Sequence, residues 1–361
     1  MVAKPMVLVT GAGRSGTSTI AGTLHYLGFH VPEPVLKGNE SNPRGFFESW
    51  WPVRFHKKIL QKAPAEQTDG RPDAIELVRA AVDDGHRAEL REWLTEVAAA
   101  ADRVVVKDPR AVWVPWLWVD TAKEVGLDIS FLTMLRHPTE VLGSRQTYYA
   151  SGRPHMGKWE FAIWNLCGWI NGNLLIEQQT RDHRRTFVRY TDLLGDWRAA
   201  MTKVRADLGI ELDDDLDPGH THEIDDFIDA DLRRHEVDWS VWELPEELVE
   251  IAQATFDGLS QLSDRGGHDP ETETLLDEVR DRYDALYRKS AAISQDAASA
   301  RARQAAADSA SAVREELKAK RAAQPKQSAP PAPPPSRFRV AGSKVLTRYP
   351  VLRRVRDRLR G

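Results

Sequence analysis

Cysteine is nearly missing from this chain of 361 residues, which holds one, Cys167. No disulfide can close within it, which points to a reducing compartment and excludes a small disulfide-stapled fold. Long apolar runs are missing as well. No stretch approaches the roughly 18 consecutive apolar residues of a membrane-spanning helix. The opening MVAKPMVLVTGAG has too short an apolar stretch for a signal peptide with its cleavage site. The chain therefore reads as cytoplasmic. No ligand cluster argues for a metal, since His220 and His222, beside Asp-rich sequence, read as a solvated pair. Aromatic residues make up 8%, although 12 of them are Trp. The net charge of −4 hides an asymmetry: Ser336–Gly361 carries eight Arg and one Lys against one Asp, so the rest is acidic. A basic tail on an acidic body suggests that the tail has its own task. No internal repeat is present.

With 41% hydrophobic residues, the chain can build one sizeable α/β core with appendages, or two small domains. Met6–Thr10, Val104–Val106, Ile129–Leu135 and Thr186–Tyr190 read as short buried strands. Helices are expected over Thr17–Leu27, Trp50–Leu60, Asp73–Ala101, from His137-Pro138 to about Tyr149, Trp159–Gln179 and Trp197–Leu208. Strands alternating with helices give an α/β fold, a P-loop-like three-layer α/β/α sandwich around a parallel sheet. Residues 1–270 form this domain. Leu275, Val279, Tyr283 and Leu286 make an apolar stripe, and Ala with charges follows, so 271–322 reads as an extended helix or weak coiled coil. Residues 323–336, ending QPKQSAPPAPPPS, are a Pro-rich linker, and 337–361 are a basic amphipathic tail.

The segment from Thr10 to Thr19, TGAGRSGTST, sits between the first strand and the first helix. Successive N–H groups in such a turn make an anion nest, and the helix N-terminus adds positive charge. Gly11 and Gly16 have the spacing of the NTPase phosphate loop, but Thr17 stands where its lysine should be. That lysine reaches the β- and γ-phosphates. Its absence disfavours ATP chemistry, and Arg14 supplies a cation inside the loop instead. The bland reading is a Gly turn in an ordinary βα unit. A second element follows the third strand: Arg136 ends it, and Ser144 lies two turns into the next helix. In a parallel sheet, strand C-terminal ends face the ligand crevice. Arg136 there can grip a phosphate and Ser144 can add a hydroxyl, or Arg136 can be a structural ion pair.

Together these elements resemble the sulfotransferase superfamily that uses 3′-phosphoadenosine-5′-phosphosulfate (PAPS), and bacterial sulfotransferase-like proteins in particular. The likeness spans about residues 5–265. It implies a 5′-phosphosulfate loop of Gly13, Arg14, Ser15, Gly16, Thr17, Ser18 and Thr19, a 3′-phosphate site at Arg136 and Ser144, and a nucleotide-side Tyr190. It implies PAPS as co-substrate, a hydroxyl acceptor and no required metal. Three departures stand out. Arg14 replaces the lysine of many members, Asp108-Pro109 replace a Thr-His that supplies a catalytic His in the cytosolic members, and their Gly-rich C-terminal segment has no counterpart.

Sulfuryl transfer needs a general base, charge stabilisation at the leaving oxygen and in-line positioning. The segment Asn39–Glu48 resembles an N-P-x-G-[YF]-[FW]-E stretch of the bacterial relatives. Glu48, beside Phe46 and Phe47, is the first choice as base, with Glu40, Glu33 and Asp108 as rivals. Glu48 can instead cap the helix starting near Trp50. Arg44 can hold an anion or pair with Glu48. Lys107 is placed to neutralise the transferring group. The Trp groups read mainly as core, some of them able to line an acceptor pocket.

The expected activity is transfer of a sulfuryl group to a glycan, glycolipid or other small metabolite. The alternatives are a P-loop small-molecule kinase with a Walker-B-like Val104–Asp108, or a non-catalytic nucleotide-binding scaffold. Val351, Leu352, Val355 and Leu359 share a helical face among arginines, which suits an anionic membrane surface. The tail would then hold the protein at the inner face of the membrane, and the 271–322 helix can support self-association. No nucleic-acid partner is expected.

Overall fold

A computed structural model describes residues 3–39, 42, 44–153, 156–228 and 237–323. Glu40, nearly all of the Pro-rich linker and the basic tail lie outside these residues. In chain order the elements are β1 (Lys4–Thr10), α1 (Thr17–Tyr26), α2 (Trp50–Lys62), α3 (Ala74–Ala81), α4 (Asp84–Ala100), β2 (Val104–Lys107), α5 (Pro115–Glu124), β3 (Leu127–Leu135), α6 (Pro138–Tyr149), α7 (Lys158–Gln179) and β4 (Arg185–Arg189). There follow α8 (Tyr190–Gly195), α9 (Trp197–Leu208), α10 (Glu223–Phe227), α11 (Glu246–Asp264), α12 (Pro270–Ile293) and α13 (Gln295–Ala323).

The four strands form one parallel sheet in the order β2-β1-β3-β4. Both faces are covered, as expected for apolar strands without a polar side. Side chains alternate across the sheet. Met6 and Leu8 of β1 join Val104, Val106 and Phe131 in a core with α2, α3, α4 and α5. Val7 and Val9 join Val105, Leu132, Met134 and Val188 in another with α1 and α9. A third core gathers Leu135 and Phe187 with residues of α6, α7, α11 and α12. The chain leaves β1 toward β2 on one side and β3 toward β4 on the other. The loops after β1 and β3 therefore part at a topological switch point, where α/β sheets open a ligand crevice.

The helix expected over Asp73–Ala101 is two. Val82 is extended, and Asp83 caps α4: its Oδ1 accepts from His86 N at 3.0 Å, while Asp83 N donates to His86 Nδ1 at 3.3 Å. A local cap overrides helical periodicity here. The apolar stripe after Glu271 is shifted by one residue at its start. Leu276, Val279 and Tyr283 are buried against the third core, whereas Leu275 is 53% exposed. Tyr283 donates to the carbonyls of Gly70 (2.5 Å) and Cys167 (3.1 Å). Near the start of β4, buried Arg185 donates to Glu177 Oε1 (3.2 Å) and to Glu273 Oε1 of α12 (2.6 Å).

Residues up to Ile293 form one compact unit, and the described residues from Ser294 belong to a second. In the second unit, α13 is Ala-rich and nearly all its described side chains are exposed. Among the described residues, no helix is long and apolar enough to cross a membrane.

Candidate active site

The turn between β1 and α1 holds three residues of positive φ, Gly11 (φ 125°), Arg14 (φ 78°) and Gly16 (φ 90°). Such residues turn successive N–H groups toward one side, the geometry of an anion nest. Gly16 is the N-cap of α1 and brings no side-chain cap, which leaves the first amides of the helix without that partner. Its identity is fixed twice. The positive φ favours glycine, and a Cβ there would stand 2.2 Å from Tyr190 Cδ2. Ser15 Oγ is buried without a hydrogen-bond partner among the described residues.

The loop and the segment after β3 meet. Arg14 Nε donates to Ser144 Oγ at 2.9 Å, and Arg136 Nη1 donates to Arg14 O at 3.2 Å. The Arg136 guanidinium lies 4.7 Å from the Tyr190 ring centre and 3.7 Å from Glu140, and Arg14 lies 4.6 Å from the Tyr148 ring. These are cation–π distances. Burial pushes the Tyr190 hydroxyl above its ordinary range, against the opposing pull of the Arg136 charge.

From the neighbouring strand, Lys107 at the end of β2 reaches the start of α1. Its Nζ donates to Ser18 Oγ (3.1 Å), to Phe46 O (3.2 Å) and to Glu48 Oε1. Both partners of this ion pair are buried, Lys107 at 3% and Glu48 at 8% exposure. Glu48 does not cap α2, whose N-cap Ser49 sends its hydroxyl to Pro32 O instead. Arg44 donates to the carbonyls of Asp226 and Phe227.

A cavity of about 290 Å³ opens over these groups. Of the residues singled out from the sequence, Gly13, Arg14, Gly16, Thr17, Ser18, Thr19, Glu48, Lys107, Arg136, Ser144 and Tyr190 all line it, and Ser15 does not. Four cations, Arg14, Lys107, Arg110 and Arg136, face it with Glu48 as the lining carboxylate among the described residues. Donors and cations in this excess suit a multiply charged anion. Gln67, Tyr148, Tyr149 and Arg110 line it too. Nothing in the sequence marked Gln67, which comes from a loop remote from the motifs, or the two tyrosines, which lie about one turn beyond Ser144 at the end of α6.

Asp108 is not in the cavity. It is fully buried, accepting from His56 Nδ1 (2.8 Å) and from Arg110 N and Nη1 (3.0 and 2.8 Å). Trp118 Nε1 donates to His56 Nε2 at 2.9 Å, which leaves Nδ1 to donate to Asp108. Burial pushes the Asp108 carboxyl up, but its contacts with His56 and Arg110 outweigh that and hold it well below the carboxylate range. Enclosed in this way and absent from the cavity lining, Asp108 is not placed to meet an acceptor or a nucleotide-bound magnesium there. Glu33 is exposed and does not line the cavity, and Glu40 lies outside the described residues. Among the described residues, no group of three or more His, Cys, Asp and Glu is placed to hold a metal. The tryptophans are largely core. Trp113 and Trp118 are fully buried, Trp51 stacks between Phe55 and Trp93, and none of those described lines the cavity.

Comparison with known proteins adds the following. A family profile described as "Sulfotransferase family" matches residues 5–214. No curated protein sequence matches the chain. Among solved structures, it is similar to the sulfotransferase domain from the Synechococcus PCC 7002 olefin synthase, at 18% identity, over 74% of this chain and 96% of that one, TM-score 0.38. It is also similar to sulfotransferase STF1 from Mycobacterium tuberculosis H37Rv (15% identity, 72% and 78% coverage, TM-score 0.38) and STF9 from Mycobacterium avium (12%, 73% and 77%, TM-score 0.42).

Proposed function

Because the chain belongs to the sulfotransferase family, we propose that it moves a sulfuryl group from PAPS to the hydroxyl of a glycan, glycolipid or other small metabolite. The observation that carries this reading is the meeting of two phosphate-suited elements more than a hundred residues apart, through Arg14 with Ser144 and Arg136 with Arg14. A donor with phosphate at both its 5′ and 3′ ends needs two such elements side by side. ATP has no 3′-phosphate for the second, and the lysine its γ-phosphate would meet is Thr17.

The residues present fit that donor as a substrate. The loop amides and the α1 N-terminus would hold the 5′-phosphosulfate, Arg136 and Ser144 the 3′-phosphate, and Tyr190 the nucleoside side. Glu48 takes the acceptor's hydroxyl proton. Lys107 holds Glu48 through one carboxylate oxygen, and the other has no hydrogen-bond partner among the described residues. As the proton leaves, the acceptor oxygen bonds to sulfur and the bond from sulfur to the bridging phosphate oxygen breaks. The electron pair stays on the phosphate of adenosine 3′,5′-bisphosphate. Arg14 and Lys107 offset the charge that grows there. Nothing in this step needs an oxidant or a metal.

Calorimetry tests the reading. Adenosine 3′,5′-bisphosphate should bind, and Arg136→Ala should weaken it by about tenfold or more, the loss of a charged hydrogen-bonding partner. Binding of ATP with Mg²⁺ in place of the bisphosphate would overturn the donor assignment.

A further inference from the structure

Gln67 and Arg145 take part in none of the steps above, yet they converge on the phosphate loop. Gln67 lies between α2 and α3, and Arg145 lies on α6 beyond Ser144. A Cβ placed on Gly13 would stand 3.2 Å from Gln67 Nε2 and 3.4 Å from Arg145 Nη1. Arg145 uses Nε on Asn165 Oδ1 and Nη2 on Thr68 Oγ1 (2.9 Å). Gln67 is engaged through its backbone carbonyl, by Trp113 Nε1 at 3.3 Å. Neither Gln67 Nε2 nor Arg145 Nη1 has a hydrogen-bond partner among the described residues.

The charge of Arg145 has no carboxylate bonded to it. The two acids flanking Gln67 and Thr68 are taken, Glu66 by Arg153 and Asp69 by Arg71. The neighbours of Arg145 are the rings of Tyr149 (5.6 Å) and Trp164 (5.9 Å). Arg145 is partly exposed as a whole residue, but burial of its guanidinium pulls it down to about 10, and the charges of Arg153 and Arg14 pull the same way. It is still a cation at neutral pH. Beneath it a second cavity of about 20 Å³ adjoins the first, sharing Gly13, Gln67 and Pro109 with it. That is room for one water-sized group. Trp169 Nε1, buried and without a partner, lines the same space. Gln67, Arg145 and Trp169 all line this small space and each has an N–H without a hydrogen-bond partner among the described residues, a set that suits a negatively charged oxygen.

We infer that Gln67 and Arg145 form an anion pocket beside the transfer position, holding one oxygen of a carboxylate-sized oxyanion carried by the acceptor. The acceptor is then an acidic molecule with its anion close to the hydroxyl that is sulfated. This rests on the sulfotransferase reading for the word acceptor, but the pocket does not depend on it. The pocket adjoins Pro109, just beyond β2. The 3′-phosphate residues follow β3, and Tyr190 follows β4. The pocket shares Gly13 with the phosphate loop and Arg145 follows Ser144 on α6, but Arg145 bonds to Asn165 and Thr68 and Gln67 to Trp113, none of them a residue of the 3′-phosphate site.

The test uses the full chain saturated with adenosine 3′,5′-bisphosphate and titrated with inorganic sulfate, then with acetate, by calorimetry. Saturable binding of both is expected. Arg145→Gln should weaken it about tenfold while the bisphosphate Kd stays within about twofold, the difference between losing a charged donor and leaving a site alone. Gln67→Leu should weaken it less, and it carries the test if Arg145→Gln does not fold. Sulfate binding that is absent, or unchanged in both variants, overturns the pocket. Bisphosphate binding weakened as much as sulfate binding places Arg145 in the donor site and overturns it too. If the bisphosphate fails to bind at all, the donor assignment falls, and sulfate binding to the free protein that depends on Arg145 still upholds the pocket.

Discussion

At the scale of single residues, the cavity is lined by side chains that sit where apolar strands stop. Arg14 follows β1, Lys107 ends β2, Arg136 follows β3 and Tyr190 follows β4, so a reader of the sequence who finds the strands finds these residues. Glu48 was legible through its aromatic neighbours, but its partner was not. The ion pair with Lys107 joins segments 59 residues apart. If Glu48 is the base, Glu48→Gln should lower transfer by about 10²–10⁴-fold, the usual worth of a positioned proton acceptor, with bisphosphate affinity retained. Unchanged turnover would remove Glu48 from the mechanism. Asp108 behaves differently. Asp108→Asn should cost about 3 kcal/mol in urea unfolding at neutral pH, because it breaks a fully buried charged network. Its native carboxyl lies below the unfolded value of about 3.9, so its contribution is complete above that pH and fades as pH falls below it. The stability gap between wild type and Asp108→Asn should therefore narrow below about pH 4. A gap independent of pH would show that the carboxylate charge is not what stabilises the fold.

At the scale of elements, strands were easier to read than helix ends. Four apolar runs stood out because both faces of the sheet are covered, so no polar alternation blurred them. The break at Asp83 was written in the sequence as a cap, but helical periodicity on both sides hid it. The start of α12 was misread for another reason. Leu275 and Leu276 are adjacent, and an apolar pattern does not say which of the two meets the core until α7 and α11 are in place. The two leucines give a direct check. Leu276→Ala should cost about 3 kcal/mol, within the usual range for a buried leucine, whereas Leu275→Ala should stay within about 0.5 kcal/mol. Equal losses would mean that α12 is turned differently on its neighbours.

At the scale of the molecule, three cores and the cavity all belong to the unit that ends at Ile293. Composition alone put the change near Glu271, since the Ala-rich stretch begins soon after, but α12 still contributes Leu276, Val279 and Tyr283 to the third core. Residues of α13 bury almost nothing. A helix with so little to cover gains little from tertiary packing. A chain stopped after Ile293 should therefore keep the wild-type unfolding midpoint and bisphosphate affinity. A chain stopped after Asp269 should unfold at much lower urea, because it loses that apolar burial and the Glu273 partner of Arg185. The shorter cut separates fold from location as well. It removes the arginine-rich tail, so if that tail binds anionic membranes, flotation with anionic vesicles should lose the protein while transfer in solution persists. Equal flotation of the full and the Ile293-terminated chains would assign any membrane affinity to the catalytic unit. Loss of transfer with intact folding would give the second unit a part in catalysis that its exposed helix does not suggest.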